Sequence, residues 1–216
     1  MGKSDPLDAH QIGSAALRLP AQQLRRPQLA DGVRQSVRIF VTARGPMSKD
    51  RTRSVNALTA LLRSNDLGID ARKALTGAQI SEVCRWRARQ EELSLSIARS
   101  EAFRLATRVL DLDEQLKVNE AQLDELVAAS EAASLLQEKG FQAINAAKCL
   151  AAWSHTGRVR NEAAFASLAG VNSIPASSGN TVRHRLNRGG DRSLNSALHM
   201  VTITRMTHDA QDPSLR

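Results

Sequence analysis

Two adjacent serines and a run of arginines are the residues of this sequence best suited to chemistry. Ser177 and Ser178 lie in a loop rich in Pro, Ser and Gly, and the arginines that follow are Arg183, Arg185, Arg188 and Arg192. A serine hydroxyl can attack phosphorus, and the guanidinium fork of arginine binds phosphate oxygens in pairs. The group predicts a phosphodiester site, although a surface turn followed by a solvated charged face would use the same residue types.

Two helices must position this loop. A short apolar helix ends at Gly170, the residue type that best adopts the left-handed conformation of a helix end. A second amphipathic helix begins near Asp191, and its apolar face consists of Leu194, Ala197, Leu198 and Val201. Upstream, Asn161 is a candidate N-cap, and Arg158 and Arg160 just before it are candidates for further phosphate contacts.

The composition favours a polyanionic partner. The chain has 216 residues, a net charge of +8 and a pI near 10.4. Aromatic residues make up only 3 % and tyrosine is absent, so phosphate contacts by arginine are a more natural binding mode than extensive base stacking.

The cysteines and histidines do not predict a metal site. Cys84 and Cys149 are isolated thiols, which favours a reducing, cytoplasmic setting, and the five histidines are scattered. No apolar run approaches the roughly 18 residues that a membrane-spanning helix needs, so we expect no membrane partner.

Residues 20–67 form a basic region in which two helices, punctuated by Gly45-Pro46, carry arginines along one side. Arg44 and Arg53 belong to this side, which suits a nucleic-acid backbone or forms an ordinary solvated surface.

Residues 68–137 have the pattern of a helical spacer. After a break between Gly68 and Gly77, apolar residues from Ile80 to Val127 recur mostly at spacings of three and four, which predicts long amphipathic helices. They could pair between two copies as a coiled-coil arm or fold back within one chain, and Trp86 is a candidate packing anchor.

Asp5 and Asp8 near the amino end have two interpretations. Asp5 before Pro6 suits the start of a helix, with Asp8 favourable to the helix dipole. Carboxylates at this spacing could equally share a divalent metal ion.

The segment Pro175-x-Ser177-Ser178-Gly179, with Arg188-Gly189-Gly190-Asp191-Arg192 and the following Leu194, Asn195, Ala197 and Leu198, resembles the C-terminal signature of insertion-sequence transposases of the IS110/IS116 group. These enzymes join a RuvC-like domain with four acidic residues to a C-terminal domain with a catalytic serine. The resemblance implies that the nucleophile is one of Ser177 and Ser178, and we favour Ser178 because it directly precedes Gly179.

The same resemblance implies further roles at the amino end. Lys3-Ser4-Asp5 to Gly13 is similar to the end of the RuvC-like domain, so Asp5 and Asp8 would be two of its Mg²⁺ ligands. Most of that α/β domain would then be missing from this sequence. Arg44 and Arg53 are similar to the family's guide-RNA-binding region.

We therefore expect a mainly α fold: a RuvC-like remnant (1–19), a basic helical region (20–67), a coiled-coil arm (68–137) and a small helical C-terminal serine domain (138–216). The expected function is a cytoplasmic, homo-oligomeric transposase that acts on double-stranded DNA with a guide RNA and Mg²⁺. The alternative is a truncated copy that binds nucleic acid without cutting it.

Overall fold

The computed structural model describes residues 5–20, 24, 32–177 and 181–208. In these residues the fold is mainly α, as the sequence predicts. The elements are α1 (Asp5–Leu17), α2 (Gly32–Ser64), α3 (Gly77–Val83), α4 (Leu93–Ala128), a 3-10 helix (Ala133–Gln137), α5 (Ala143–Trp153), α6 (Glu162–Ala169), β1 (Ser173–Pro175), β2 (His184–Leu186) and α7 (Arg192–His208).

Helices α2 and α4 form an antiparallel pair that, with α3, we call the arm. Ion pairs join α2 to α4 and the turn after it, in the order expected of antiparallel helices: Arg34–Glu131, Arg44–Glu120 and Arg51–Asp113. Leu58 and Leu62 pack against small residues of α4, namely Ala98, Ala102 and Ala106. The apolar faces of α2 and α4 thus pack against each other within one chain. Of the two arrangements that the sequence pattern allows, this is the intramolecular one.

The prediction of two helices in the basic region is wrong, because α2 continues through Gly45 and Pro46. Proline lacks the N–H that would bond to Thr42 one turn earlier, and its ring crowds that turn. Pro46 and Thr42 are both exposed, so the unbonded carbonyl faces water. The buried Val37 and Leu58 on either side hold the helix against its neighbours.

Of the long amphipathic helices predicted between Ile80 and Val127, α4 is confirmed, and the segment before it is interrupted. Helix α3 is a single short helix that starts at a capping box between Thr76 and Gln79, and residues 84–92 form no helix or strand. Trp86 in this break packs against the arm's core, and the Arg99 guanidinium lies 4.7 Å from its ring centre. The anchor role predicted for Trp86 is confirmed.

The carboxyl-terminal helices pack on the open end of the arm. Val37, Leu123 and Val127 of the arm share a core with Ala146, Ala147 and Leu150 of α5. A further core joins Cys149 and Ala152 of α5 to α6 and α7. Gly140 has a φ of +83°, and a Cβ there would lie 2.8 Å from the carbonyl oxygen of Val201, so only glycine allows α7 to approach this closely.

The predicted domain limits stay predictions, although α2 and α4 share a core across the limit at residue 67. None of the helices in the described part of the chain is long and apolar enough to cross a membrane.

Candidate nucleic-acid interface

The predicted serine loop connects two short antiparallel strands. Strands β1 and β2 pair with Ile174 opposite Arg185 and Pro175 opposite His184. Beyond the last pair, the Ala176 N–H donates to the carbonyl of Arg183 at 2.8 Å. The hairpin therefore holds the two ends of the loop together, and it was missed because three-residue strands leave no readable periodicity.

Ser177 takes part in closing this loop. Its Oγ accepts from the backbone N–H of Arg183 at 3.3 Å and donates to the carbonyl of the same residue at 3.5 Å. The side chain is exposed. Ser178, Gly179 and Asn180 lie outside the described residues, and the assignment of Ser178 as the nucleophile stays a prediction.

The segment after the hairpin is fixed to the end of α6. Gly170 ends α6 at a φ of +69°, the Asp191 N–H donates to the Leu168 carbonyl at 2.7 Å, and the Asn195 amide donates to the Ala169 carbonyl at 3.0 Å. A Cβ on Gly190 would lie 2.4 Å from the Cα of Gly170. This contact requires glycine and sets where β2 leads into α7.

Four arginines surround this structure; we call Arg183, Arg185, Arg188 and Arg192 the hairpin arginines. All four are exposed, and none forms an ion pair with any residue that the structure describes. The nearest acid in sequence, Asp191, is used as the N-cap of α7, because its carboxylate accepts from the N–H groups of Ser193 and Leu194 at 2.8 and 3.0 Å. Their positive charge therefore faces solvent.

A pocket of about 320 Å³ lies between β2 and α7. Its lining includes Arg188 and Arg192 together with Asn187, Asn195 and His199. Two guanidinium groups with amide and imidazole donors suit an anionic oxygen group such as a phosphate. Sequence reasoning missed the last three residues, although Arg192, Asn195 and His199 are spaced three and four apart and so share one face of α7.

A comparison with protein-family models matches residues 132–215 to the Transposase IS116/IS110/IS902 family. This segment belongs to that transposase family. The match covers the 3-10 helix, α5 to α7 and the hairpin, and we call residues 132–215 the transposase domain. A search of curated proteins found no match. The recognition made from the serine loop and the glycine-arginine motif is confirmed for this part of the chain.

The two arginines upstream of α6 have different surroundings in the transposase domain. The Arg158 guanidinium donates to the carbonyl of Ala152 at the end of α5 and is partly buried. Arg160 is exposed and has no ion pair among the described residues. The phosphate contacts expected of both stay predictions, and Arg160 is the better placed of the two.

Outside the transposase domain, Arg44 and Arg53 lie on different sides of α2. Arg44 donates to the Leu116 carbonyl at 2.8 Å, to Asn119 at 3.3 Å and to Glu120 at 3.2 Å, and its side chain is only 20 % exposed. Arg53 is 75 % exposed and pairs with Asp50 on its own helix. Their nucleic-acid roles stay predictions, and only Arg53 presents its guanidinium to solvent.

The two acids proposed as Mg²⁺ ligands lie in α1. This helix begins at Asp5, and Asp8 is exposed in its first turn; the side chain of Asp5 lies outside the description. Among the side chains that the structure describes, no three of His, Cys, Asp and Glu are grouped so as to hold a metal ion. Since Mg²⁺ needs several oxygen ligands in near-octahedral geometry, the described residues do not form its site.

Proposed function

We propose that the transposase domain cuts and rejoins double-stranded DNA through Ser178 in the hairpin loop, with the hairpin arginines binding the phosphate being attacked. The observation that carries this proposal is the set of four exposed arginines without ion pairs around a serine loop in a transposase-family domain. A solvated charged face would not need a loop held at its base by a strand pair.

The reaction is a phosphoryl transfer in which a serine–phosphate bond replaces the broken phosphodiester bond and so keeps its energy for rejoining. The serine Oγ attacks the phosphorus of a DNA phosphodiester and loses its proton to solvent, while the bond to the 3′ oxygen breaks. That oxygen takes up a proton and leaves as a 3′ hydroxyl. In the reverse step a 3′ hydroxyl from another strand attacks the phosphoserine and restores the free serine. The arginines stabilise the additional negative charge of the transition state.

The contacts of Ser177 support Ser178 as the attacking residue. The Ser177 hydroxyl is bonded to the backbone of Arg183, so its attack on phosphorus would require the base of the loop to open. The oxygen of a nucleophile should instead be directed to the substrate and should not be held in such hydrogen bonds.

Further partners belong to this proposal. Exchange between two duplexes needs two serine sites, which a homo-oligomer would supply, and a guide RNA would use the exposed side of α2 that carries Arg53. A Mg²⁺ ion at Asp5 and Asp8 would need oxygen ligands beyond the described ones, and no step given above passes through the metal.

Recovery of covalent protein–DNA adducts from cells that express the full chain tests the proposal without knowledge of the target. The chain is purified under denaturing conditions and the attached DNA is sequenced. We expect adducts with the wild type and with Ser177→Ala, and none with Ser178→Ala. Adducts that persist in Ser178→Ala and disappear in Ser177→Ala would move the nucleophile by one residue. Salt-dependent DNA binding without any adduct would instead support the binding-only alternative.

A further inference from the structure

The far end of the arm carries a second concentration of arginines that the function above does not use. We call residues 84–104 the arm tip; they include the break after α3 and the first turns of α4. Arg85, Arg87 and Arg89 alternate with Trp86 and Ala88 in this break. All three arginines are exposed, and none forms an ion pair with a described residue.

A pocket of about 340 Å³ opens beside two of these arginines. Its lining includes the aromatic rings of Trp86 and Phe103, the hydroxyls of Ser96 and Ser100, and the cationic groups of Arg87 and Arg89. No carboxylate is among the lining residues. The volume falls within the range of small-molecule sites, about 300–1,000 Å³.

A buried ion pair between Arg99 and Glu91 lies beside this pocket. Arg99 is 7 % exposed, and its Nε and one Nη donate to the two oxygens of Glu91 at 2.8 and 2.6 Å. The same guanidinium covers one face of Trp86 at 4.7 Å. Its remaining Nη1 has no hydrogen-bond partner among the described residues, and Arg99 lines the pocket. An aromatic wall thus lies next to a hydrogen-bond donor and to two exposed arginines that form no ion pair with a described residue.

Phe103 is the part of the wall that a ligand can reach. It is 41 % exposed, although a large aromatic side chain on an arm helix would normally be covered. Single-stranded nucleic acids are recognised by this combination, because an unstacked base lies on an aromatic face while arginines bind the adjoining phosphates. A duplex keeps its bases stacked and would contact only the arginines.

We propose that the arm tip binds a single-stranded nucleic-acid segment, with one unpaired base in the Trp86–Phe103 pocket and its phosphates on Arg87 and Arg89. The site is distinct from the hairpin. The arm's core at Leu62 and the contact with the transposase domain at Val37 are separated by 25 residues of α2, which is ~38 Å along a helix. Binding here does not require DNA cleavage at the serine loop.

The test uses fluorescence anisotropy of the full chain with a labelled 12-nucleotide single strand, with a strand of the same length that is abasic at every position, and with the matching duplex. We expect Arg87→Gln/Arg89→Gln to lower the magnitude of the salt slope for the single strand by about 1.4, since each contact to a single strand contributes about 0.7. The matched control is Arg51→Gln/Arg72→Gln, which removes the same charge from arginines outside the arm tip that pair with Asp113 and Asp70, and it should leave the slope unchanged.

A second variant tests the base pocket. We expect Phe103→Ala to weaken binding of the intact strand about tenfold and to leave the abasic strand and the duplex unaffected, because stacking on one base is lost. Equal salt slopes for the two double variants, or an equal Phe103→Ala effect on all three ligands, would overturn the proposal. Repeating the titrations with the four hairpin arginines changed to Gln separates the sites: tip binding must persist there even if the hairpin proposal fails.

Discussion

The arm and the transposase domain use arginine in opposite ways. Residues 32–131 contain 16 Lys and Arg against 14 Asp and Glu, whereas residues 132–208 of the transposase domain contain nine against three. In the arm, acids of α4 and of the turn after it lie opposite the arginines of α2 and form ion pairs with them. In the transposase domain the hairpin arginines have no such partners among the described residues. A basic sequence therefore indicates a polyanion-binding surface only where the fold leaves the charge unpaired.

The largest expected effect comes from removing four positive charges from the hairpin, and a matched variant removes four from α2. Changing the hairpin arginines to Gln should weaken duplex DNA binding about 100-fold or more at low salt and lower the magnitude of the salt slope by about 3 to 4, since each lost phosphate contact contributes about 0.9. The measurement is anisotropy of a labelled duplex titrated between 50 and 200 mM salt, roughly the range over which such contacts weaken.

The matched variant changes Arg34, Arg44, Arg51 and Arg53 of α2 to Gln. The net charge falls by the same amount, but three of these arginines are held by acids of α4 or its following turn. We expect the salt slope to fall by about 1 or less. Equal slopes for the two quadruple variants would show that total charge, and not the pairing of arginines, decides where DNA binds.

Two adjacent glycines, Gly189 and Gly190, test how closely the hairpin packs against α6. In Gly190→Ala the new methyl group would meet the Cα and N of Gly170 at 2.4 Å, and both atoms belong to backbone that cannot move aside without shifting α6. We expect a loss of about 3 kcal/mol in the free energy of unfolding. For a chain of this size that corresponds to a fall of roughly 6 to 12 °C in Tm, measured by circular dichroism.

The neighbouring Gly189→Ala is the control for this change. Its Cβ would lie 3.5 Å from the side-chain oxygen of Asn187, which is ordinary contact, and its φ is not positive. We expect a change within about 0.5 kcal/mol. A Gly190→Ala variant as stable as Gly189→Ala would mean that the hairpin is not fixed against α6.

Local signals in the sequence were enough to predict α6 and α7, the two helices that flank the hairpin. Asn161 caps α6, Gly170 ends it and Asp191 caps α7, because each of these features depends on residues within one turn. The pairing of the arm's arginines could not be predicted, since it depends on the register between α2 and α4, and that register is set by distant residues such as Leu58 and Ala102. The same holds for the hairpin, whose strands are too short to show a period of two.

The arm tip was missed for a different reason. The alternation of Arg85, Arg87 and Arg89 with Trp86 and Ala88 is visible in the sequence, but the spacing of apolar residues from Ile80 to Val127 predicts long helices and does not show where one of them ends. A helix would spread these arginines around its circumference. The break at residues 84–92 is what places Arg87 and Arg89 on one pocket.

Arg44 and Arg53 allow a partly buried arginine and an exposed arginine to be compared within a single helix, α2. Arg44→Leu removes the donor to the side-chain oxygen of Asn119, which is 4 % exposed and has no other described donor. We expect a loss of about 1 to 3 kcal/mol in the free energy of unfolding, the usual result of leaving a buried polar group unbonded. Arg53→Leu removes an exposed pair with Asp50 and should cost less than about 1 kcal/mol. Urea titrations measure both values, and a reversed order would contradict the ion-pair register of the arm.

The smallest expected effect concerns the two thiols, one in each region. Burial raises the pKa of the Cys149 thiol in α5 to about 11, and burial also raises the pKa of the Cys84 thiol, which is less deeply covered. An unfolded thiol titrates near 8.5. The folded state therefore favours the neutral thiol, and the resulting stability is fully present below the unfolded pKa and is lost as the pH rises towards 11.

The chain contains no tyrosine, so no phenol ionises in the same interval. Burial lowers the pKa of the neighbouring Lys148, and comparison of wild type with Cys149→Ala separates the thiol contribution from that of this lysine. Between pH 8 and pH 10 we expect Cys149 to lower the free energy of unfolding by on the order of 1 kcal/mol. Urea titrations at both pH values should show that Cys149→Ala removes most of this difference and that Cys84→Ala removes less of it. If wild type and Cys149→Ala lose stability equally, the thiol is not shielded from water. The core joining α5 to α6 and α7, which positions the hairpin arginines, would then be looser than the structure shows.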